Sequence, residues 1–446
     1  MQRERNPLTR LTAVTLFASG GIADLALRAA GYDILVANEL LEERARIFEY
    51  NFSETQVFVG DVCVLRTDLV RAALSKLAGN ELDLLFATPP CQGMSKNGRG
   101  KLLNGIRAGI KPQHDSRNQL ISQVIDIAIE LEPRLIVLEN VPEMQYTDIL
   151  DNAGQPINIM DLIATRLPAY RLHSEVVEFA DYGVPERRKR LITVLFKNAV
   201  QLEHVLPPRT HSQRPTLFQQ PWVTVTDVIG RLPPLDAKNK QLAKSSLEYH
   251  SVPVLSSDKY FWVSNTPVGA SAFDNQCVNP SCGYSGNTTH GSSYIAGINR
   301  PKTCTPLYCE KCSALLPRPW VRSGETYTLM KGFTSAYKRM RGDLPASALT
   351  RNLSYACSDQ KLHPTQNRVL SLREAFAIHT IDQFVYRWKR SDGKHVSDKT
   401  IREVIGESVP PAGLLTIMKY LTGILRGEGE RSIVVPRKKR AASVVS

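Results

Sequence analysis

Cysteine is scarce in this sequence. Eight cysteines in 446 residues are too sparse for a disulfide scaffold. No stretch approaches the roughly 20 apolar residues that cross a bilayer, and the opening MQRERNPLTRLTAVTLF lacks the apolar core and cleavage site of a secretory signal. Internal repeats are also absent. We therefore expect a soluble protein of a reducing compartment with no membrane partner.

Acidic residues are outnumbered by basic ones, 43 against 56, which leaves a net charge of +13. No basic amphipathic helix stands out, so the excess favours nucleic acid over a membrane surface as the polyanionic partner. Charge scattered for solubility is the alternative. The length allows two domains, or one domain with a large insertion.

Short apolar runs alternate with amphipathic stretches from Leu11 to about Phe196. One amphipathic stretch, 118–131, spaces its apolar residues as a helix face. This alternation predicts an α/β protein with a doubly wound, Rossmann-like sheet. The strand candidates are Ala13–Phe17, Ile34–Ala37, Val57–Val59, Leu82–Ala87, Leu135–Leu138 and Leu191–Leu195.

The composition changes after Pro207. Proline, serine and threonine become frequent, and the regular spacing of apolar residues is lost until about Ala346. Helical spacing returns at Ser371–Thr380 and Ala412–Leu425. We expect a catalytic domain over 11–200 and 346–430, a smaller loop-rich domain over 201–345, and a disordered basic tail over 431–446.

The segment DLLFATPPCQGMS predicts a buried strand that stops abruptly. Pro89 and Pro90 fix φ and supply no N–H, so the backbone leaves the sheet in a stiff direction. Cys91 then sits at the carboxyl end of a strand, where open α/β sheets bind ligands. A thiol there is a candidate nucleophile, although a lone cysteine is more often a small buried hydrophobe.

Three successive strand ends form an adenosine-cradling pattern. Gly20 and Gly21 follow the first strand, and small residues there let a ligand approach the backbone. Glu39 ends the second strand, where a carboxylate can accept hydrogen bonds from ribose hydroxyls. Asp61 ends the third. Together the three favour a nucleoside cofactor.

Two further motifs place charged groups near the carboxyl ends of these strands, where the ligand is expected to bind. Glu139 ends the apolar run LIVLEN, where it could either cap a turn or face Cys91. Arg188 and Arg190 alternate at a strand start, so both would point to one face. Paired guanidinium groups suit a carbonyl oxygen or a phosphate, while a solvated charge run is the plainer alternative.

These motifs, read in order, resemble the cytosine-C5 DNA methyltransferase family, over about 11–200 and 346–425. The motifs are PPCQ, ENV, VP-x-RRKR, RVLSLREA and GESVPP. The resemblance implies a class I methyltransferase fold and S-adenosylmethionine as cofactor. The cofactor contacts that it implies are Phe17, Gly20, Gly21, Glu39, Asp61, Pro89 and Ser408.

The resemblance also implies a mechanism on a flipped cytosine in double-stranded DNA. Cys91 would add to C6, Glu139 would hold a proton at N3, Arg190 would donate to O2 and Arg188 would support the site. Residues 93–114, rich in Gly, Lys and Arg, would form a mobile loop that closes on the base. Asp115 or Ser116 would cap the helix that follows.

The chain departs from the family pattern at several positions. Ser19 and Ala23 stand where glycines are common, and both are small enough for cofactor binding to survive. Glu186 replaces the usual glutamine, and Glu407 replaces the usual asparagine before Ser408. A charge at Glu407 could alter cofactor affinity.

The resemblance further implies a prokaryotic, cytoplasmic, monomeric enzyme of a restriction–modification system, with a cognate endonuclease on the same site. Two alternatives stay open. One is an RNA (tRNA) cytosine methyltransferase, and the other is a catalytically silent DNA-binding regulator. The resemblance implies that the loop-rich domain over 201–345 is the target-recognition region, and its large size argues against the first alternative. The presence of Cys91, Glu139 and Arg190 argues against the second.

The loop-rich domain contains two close cysteine pairs, Cys277-x4-Cys282 and Cys309-x2-Cys312, with 26 residues between the pairs. Such spacing suits a structural zinc ribbon. Cys304 is a rival ligand and His290 a weaker one. Free thiols in a loosely ordered insertion are the alternative.

Residues 318–341 carry six basic side chains against one acid, Glu325, with Trp320, Tyr327, Phe333 and Tyr337 interleaved. Basic groups suit phosphates and aromatic rings suit bases or sugars. We expect this stretch to form a DNA-contacting face.

Overall fold

The computed structural model of the chain describes residues 10–90, 120–150, 155–198, 204–295, 298–301, 305–330 and 335–427. Cys91, the predicted mobile loop 93–114, the helix cap at 115–116, Cys304, Phe333 and the tail 431–446 lie outside these residues.

A mixed sheet organises the first part of the described chain. Its seven strands are β1 (Leu11–Leu16), β2 (Tyr32–Glu39), β3 (Gln56–Val59), β4 (Leu84–Ala87), β5 (Leu135–Asn140), β8 (Tyr170–Glu178) and β10 (Lys189–Lys197). Their order is β3-β2-β1-β4-β5-β10-β8. The first five pair in parallel, whereas β10 is antiparallel to both β5 and β8. The predicted doubly wound α/β fold is confirmed.

The central strands are apolar throughout because both faces of the sheet are covered. In β4, Leu84 and Phe86 pack into one core while Leu85 and Ala87 pack into the other. Consecutive side chains of a strand point to opposite faces, so a strand buried on both faces needs an uninterrupted apolar run. This is why the sequence LLFA shows no alternation.

Helices cover both faces of this sheet. In chain order the α-helices are α1 (Ile22–Ala29), α2 (Glu42–Asn51), α3 (Val62–Leu77), α4 (Leu120–Leu131), α5 (Ile159–Arg166), α6 (Val225–Ile229), α7 (Ser257–Ser264), α8 (Leu372–Ile378), α9 (Asp398–Glu407) and α10 (Pro411–Arg426). Leu25 of α1 shares a core with Leu414 and Met418 of α10. The last described helix therefore packs on the same sheet as the first.

Short strands and single turns make up most of the remaining structure. The strands are β6 (Asp148–Leu150), β7 (Pro156–Asn158), β9 (Glu186–Arg187), β11 (His211–Ser212), β12 (Gln220–Pro221), β13 (Ser292–Ile295), β14 (Ile298–Pro301), β15 (Trp320–Ser323), β16 (Thr326–Leu329) and β17 (Ala346–Ser347). The 3-10 turns are Pro142–Tyr146, Phe179–Tyr182, Ala272–Asp274 and Ile381–Gln383. No helix in the described ranges is long and apolar enough to cross a membrane.

The loop-rich region of 204–370, called the recognition region below, has its own core. Trp262 packs edge-on against Trp320 and Tyr337, at ring distances of 5.1 and 5.6 Å. Phe273 joins the same cluster. Because regular strands are few and short here, aromatic rings supply much of the buried area. The division of the chain at 200, 345 and 430 stays a prediction.

Gly21, which precedes α1, offers a test of the β1–α1 turn. Its φ is +82°, and a Cβ there would lie 2.6 Å from the Phe52 ring. We expect Gly21→Ala to lower the free energy of unfolding by about 1–3 kcal/mol. Urea denaturation followed by circular dichroism measures the change.

Gly423, inside α10, is the matched control because a Cβ there meets nothing within 4 Å. We expect Gly423→Ala to raise the free energy of unfolding by about 0.5–1 kcal/mol. Equal effects of the two substitutions would contradict the geometry assigned to the turn.

Candidate active site

The strand order reverses between β1 and β4, which places a crevice at their carboxyl ends. From β1 the chain turns through residues with positive φ, namely Phe17, Ser19 and Gly21. From β4 it runs to Pro89 and Pro90. The Thr88 hydroxyl donates to the Phe17 carbonyl at 3.1 Å and joins the two turns. The Pro89–Pro90 turn, which precedes Cys91 in the sequence, therefore lies beside this crevice.

Glu39 fixes the glycine turn from the end of β2. Its carboxylate accepts hydrogen bonds from the backbone N–H groups of Ser19 at 2.8 Å and Leu41 at 2.9 Å. Burial raises the pKa of Glu39, while these bonds and Arg44 act in the opposite direction. The buried Ser19 hydroxyl has no hydrogen-bond partner among the described residues. An unsatisfied hydroxyl at such a turn fits a site that binds a polar ligand.

The third strand end lies next to the second. The Gly60 N–H donates to the Glu39 carbonyl at 2.9 Å, so the chain after β3 passes beside β2. Asp61 follows, and its carboxylate accepts the Cys63 N–H at 2.9 Å as the N-cap of α3. The structure thus brings Gly20, Glu39 and Asp61 to one edge of the sheet.

Glu139 and Arg190 form the charged pair of the crevice. Register pairs Glu139 of β5 with Ile192 of β10, so Arg190, the second residue of β10, lies close to the carboxylate. The Nε–Oε1 distance is 2.7 Å. Burial raises the pKa of Glu139, although Arg190 and Arg188 act in the opposite direction. A buried carboxyl of this kind holds its proton more readily than an exposed one.

Asn140 links this pair to the proline turn. Its side-chain amide donates to the Pro89 carbonyl at 3.1 Å. Register also aligns Ala87 of β4 with Leu138 of β5, so the two strands end side by side. The backbone that precedes Cys91 is therefore held against the strand that carries Glu139.

Arg188 is fully buried and reaches two distant segments. Its guanidinium donates to the Leu349 and Gly406 carbonyls, each at 3.0 Å. An arginine engaged in this way links the two segments, because its planar guanidinium donates to both in a fixed geometry. Arg188 therefore positions the start of β10, whereas Arg190 faces Glu139.

The structure explains the two charged departures from the family pattern. Glu186 is fully buried and accepts hydrogen bonds from His379 Nδ1 and the Leu349 N–H, each at 2.7 Å. Burial alone would raise the pKa of Glu186, but His379 and Arg188 hold it at about 2. Glu407 instead pairs with Arg44 at 2.7 Å. Each extra charge therefore has a basic partner.

His379 and Tyr386 support two of the predicted cofactor contacts, and neither residue was predicted from the sequence. His379 Nε2 lies 2.9 Å from the Ser408 hydroxyl, which also donates to the Ile405 carbonyl. Tyr386 donates its hydroxyl to the Gly20 carbonyl at 2.6 Å and so supports the glycine turn. In the sequence, Glu186 is the one sign of His379, because a buried glutamate in place of glutamine needs a basic partner.

The expected DNA-contacting face over 318–341 is wrong in its main residues. Arg318 and Arg339 are buried, and each donates to three or more backbone carbonyls. Trp320 and Tyr337 belong to the core described above. A region with few strands leaves many carbonyls without ladder partners, and buried arginines satisfy them. Of this stretch, Arg322 and Arg341 remain exposed.

A cleft of about 540 Å³ separates the start of β10 from the recognition region. Basic residues from both sides line it, with two acids among them: Arg187, Lys189, Lys338, Arg339, Arg341, Glu178 and Asp359. Arg187 also lies over the Trp222 ring at 5.5 Å. The positive lining suits a phosphate backbone, and Lys338, Arg339 and Arg341 of the stretch expected from the sequence form part of it.

Cys277, Cys282, Cys309 and Cys312 come together in the recognition region, with all four sulfur atoms within 4.8 Å of one another. His290 is not in this group. Its ring stacks on Phe273, and its Nδ1 lies 2.8 Å from the Thr305 hydroxyl.

The model of the C-5 cytosine-specific DNA methylase family matches residues 11–422. The chain belongs to this family. The resemblance read from the motifs is confirmed, and the activity that defines the family is methylation of cytosine C5 in DNA.

Individual relatives agree with this assignment. The Type II methyltransferase M1.HgaI of Avibacterium volantium is 29% identical over 413 residues, covering 90% of this chain and 95% of that protein. The Type II methyltransferase M.AquIA of Picosynechococcus sp. is 30% identical over 234 residues, covering 50% and 88%. Among solved structures, the S. pombe Dnmt2 methyltransferase shares the fold, with a TM-score of 0.52 at 12% identity, covering 93% of this chain and 99% of that one.

The Glu186–His379 pair yields a test by double substitution. We expect His379→Ala to lower the free energy of unfolding by about 3–5 kcal/mol, because it leaves the Glu186 charge buried without its partner. Adding Glu186→Gln removes that charge and should recover part of the loss. Urea denaturation midpoints of the two single variants and the double variant measure the coupling. A double variant less stable than His379→Ala would contradict the pairing.

Proposed function

We propose that this chain transfers a methyl group from S-adenosylmethionine to C5 of a cytosine within a specific sequence of double-stranded DNA. The cytosine is flipped out of the duplex and held by a covalent bond between Cys91 and C6. The observation that carries the proposal is the ion pair between the buried Glu139 and the half-buried Arg190, beside the Pro89–Pro90 turn that leads into Cys91.

The chemistry starts from a ring carbon that is a poor nucleophile. The Cys91 thiolate forms a bond to C6, and the electron pair of the C5–C6 double bond moves toward C5. Negative charge builds on the ring at the same time. Glu139 holds a proton at N3 and neutralises that charge, a role that suits a carboxyl whose pKa is raised by burial.

Arg190 supports the same step from the neighbouring strand by donating to O2 of the base. Its guanidinium is aimed by the contact with Glu139, and Arg188 holds the start of the strand through the Leu349 and Gly406 carbonyls. Fixed donors of this kind stabilise developing charge without having to reorganise.

The ring then returns to aromaticity. C5 would take the methyl group as the bond between the methyl carbon and the sulfonium sulfur of S-adenosylmethionine breaks and leaves S-adenosylhomocysteine. A base then removes the C5 proton, and the electron pair left at C5 expels the sulfur of Cys91 from C6. This β-elimination restores the Cys91 thiolate. Covalent catalysis of this type divides one difficult step into easier ones.

S-adenosylmethionine, when bound, supplies an electrophilic methyl group. Its site is the crevice at the carboxyl ends of β1–β4, where the unpartnered Ser19 hydroxyl and the positive φ of Gly21 fit a ligand close to the backbone. Phe17, Gly20, Gly21, Glu39, Asp61, Pro89 and Ser408 are the proposed contacts. The Arg44 partner of Glu407 lessens the effect of that charge on the cofactor.

The DNA runs along the basic cleft between the start of β10 and the recognition region. Flipping costs a few kcal/mol, which contacts to the phosphates on either side can offset. The relatives' description as Type II methyltransferases supports a restriction–modification role with a cognate endonuclease, in a prokaryotic cytoplasm.

Trapping on a fluorinated substrate tests this proposal. A long duplex of mixed sequence, made with 5-fluorocytosine at every cytosine, contains short recognition sequences of every composition. Methylation at C5 leaves fluorine in place of the proton that β-elimination needs, so the adduct persists. With S-adenosylmethionine present, we expect the chain to shift with this DNA on a denaturing gel, and Cys91→Ala to lose the shift completely.

Cys357→Ala is the matched control, because Cys357 is an exposed free thiol, and it should trap as well as the unsubstituted chain. Fluorinated RNA transcripts form the second arm. A shift with RNA alone, or a DNA shift that survives Cys91→Ala, would contradict the proposal.

A further inference from the structure

The four cysteines of the recognition region have the separations of a tetrahedral metal site. Cys277 Sγ lies 3.6 Å from Cys312 Sγ, and Cys282 Sγ lies 3.9 Å from Cys309 Sγ. Four sulfurs placed around zinc at about 2.3 Å are about 3.8 Å apart. A disulfide would bring two sulfurs to about 2.05 Å. The separations therefore match a shared ion and not a pair of cross-links.

The two cysteine loops have the same backbone construction. The N–H of the first cysteine donates to the carbonyl two residues beyond the second: Cys277 to Tyr284 at 3.2 Å, and Cys309 to Ala314 at 2.8 Å. The residue directly after each second cysteine has positive φ, +53° at Gly283 and +57° at Ser313. Two segments that differ by two residues in their cysteine spacing thus share these two features, and their four sulfurs lie within 4.8 Å of one another.

Apolar packing does not explain the order of the first cysteine loop. In the first loop Val278 is exposed and Tyr284 is only half-buried. Neither cysteine of this loop is fully buried. A segment with so little apolar burial gains its order from another source, and metal coordination is the usual one.

Polar contacts connect the two loops to the core of the recognition region. Arg318 donates to the carbonyls of Asn275, Thr288 and Pro306 at 2.7–2.9 Å. Glu310, inside the second loop, accepts from the Thr288 hydroxyl at 3.0 Å. The folded conformation of the cysteine loops is thus coupled to the aromatic core of the recognition region.

We propose that Cys277, Cys282, Cys309 and Cys312 bind one zinc ion that holds the recognition region in its folded form. Four thiolates fill a tetrahedral ion, so no position is open for water or substrate and the role is structural. Cys304 lies outside the described residues, and His290 is engaged with Thr305.

Metal content tests the site directly. The full chain, purified without a metal-affinity column, should carry one zinc ion per molecule, as measured by inductively coupled plasma mass spectrometry. Cobalt exchanged into the site should give the intense visible bands of a tetrahedral thiolate complex. Absence of stoichiometric metal in the folded chain would overturn the proposal, and stoichiometric iron would overturn the choice of zinc.

Substitutions locate the ion. Cys282→Ser and Cys312→Ser should each lose the bound zinc, whereas Cys357→Ser, which alters an exposed thiol, and His290→Ala should keep one ion per chain. Full retention of zinc by both ligand variants would overturn the assignment. Because metal content is measured without DNA or cofactor, this result stands apart from the trapping experiment on Cys91.

Discussion

The proposed catalytic site depends on a carboxyl group kept out of water beside a guanidinium. Glu139 and Arg190 are neighbours because β10 runs antiparallel to β5 and pairs Ile192 with Glu139. A parallel strand in that position would place its carboxyl end, and not its start, at this edge. The reversal of one strand therefore gives the crevice its cation, while the parallel strands supply the proline turn and the carboxyl group.

Buried charges also join the catalytic part of the chain to the segments that return after the recognition region. Glu186 with His379, and Arg188 with the Leu349 and Gly406 carbonyls, span separations of 161 residues or more. Removing one partner of such a contact is costly, because the other remains buried with its charge or polarity unsatisfied. These contacts fix the start of β10, and through it Arg190. Within the recognition region, Arg318 and Arg339 perform the same task for backbone carbonyls.

Much of the fold could be predicted because a strand that is buried on both faces appears in the sequence as a continuous apolar run. The runs LLFA and LIVL could hardly be anything but central strands. β8 was missed because most of its side chains are only half-buried, so its residues show neither a continuous apolar run nor clean alternation. The basic and aromatic residues of 318–341 were misassigned for a related reason: composition cannot tell an arginine on a phosphate from one on buried carbonyls. The Glu186–His379 contact was out of reach, since nothing local marks its partner.

The proposed role of Glu139 requires that burial leaves this carboxyl with a proton to share with the base, although Arg190 lies beside it. Carbon NMR of the chain labelled at the glutamate carboxyl measures the titration of the Glu139 side chain, whose resonance is assigned by its loss in Glu139→Gln. We expect this resonance to titrate above the ordinary glutamate pKa of about 4.3, and Arg190→Ala to move its pKa further upward. A Glu139 pKa at or below the ordinary value would contradict this role.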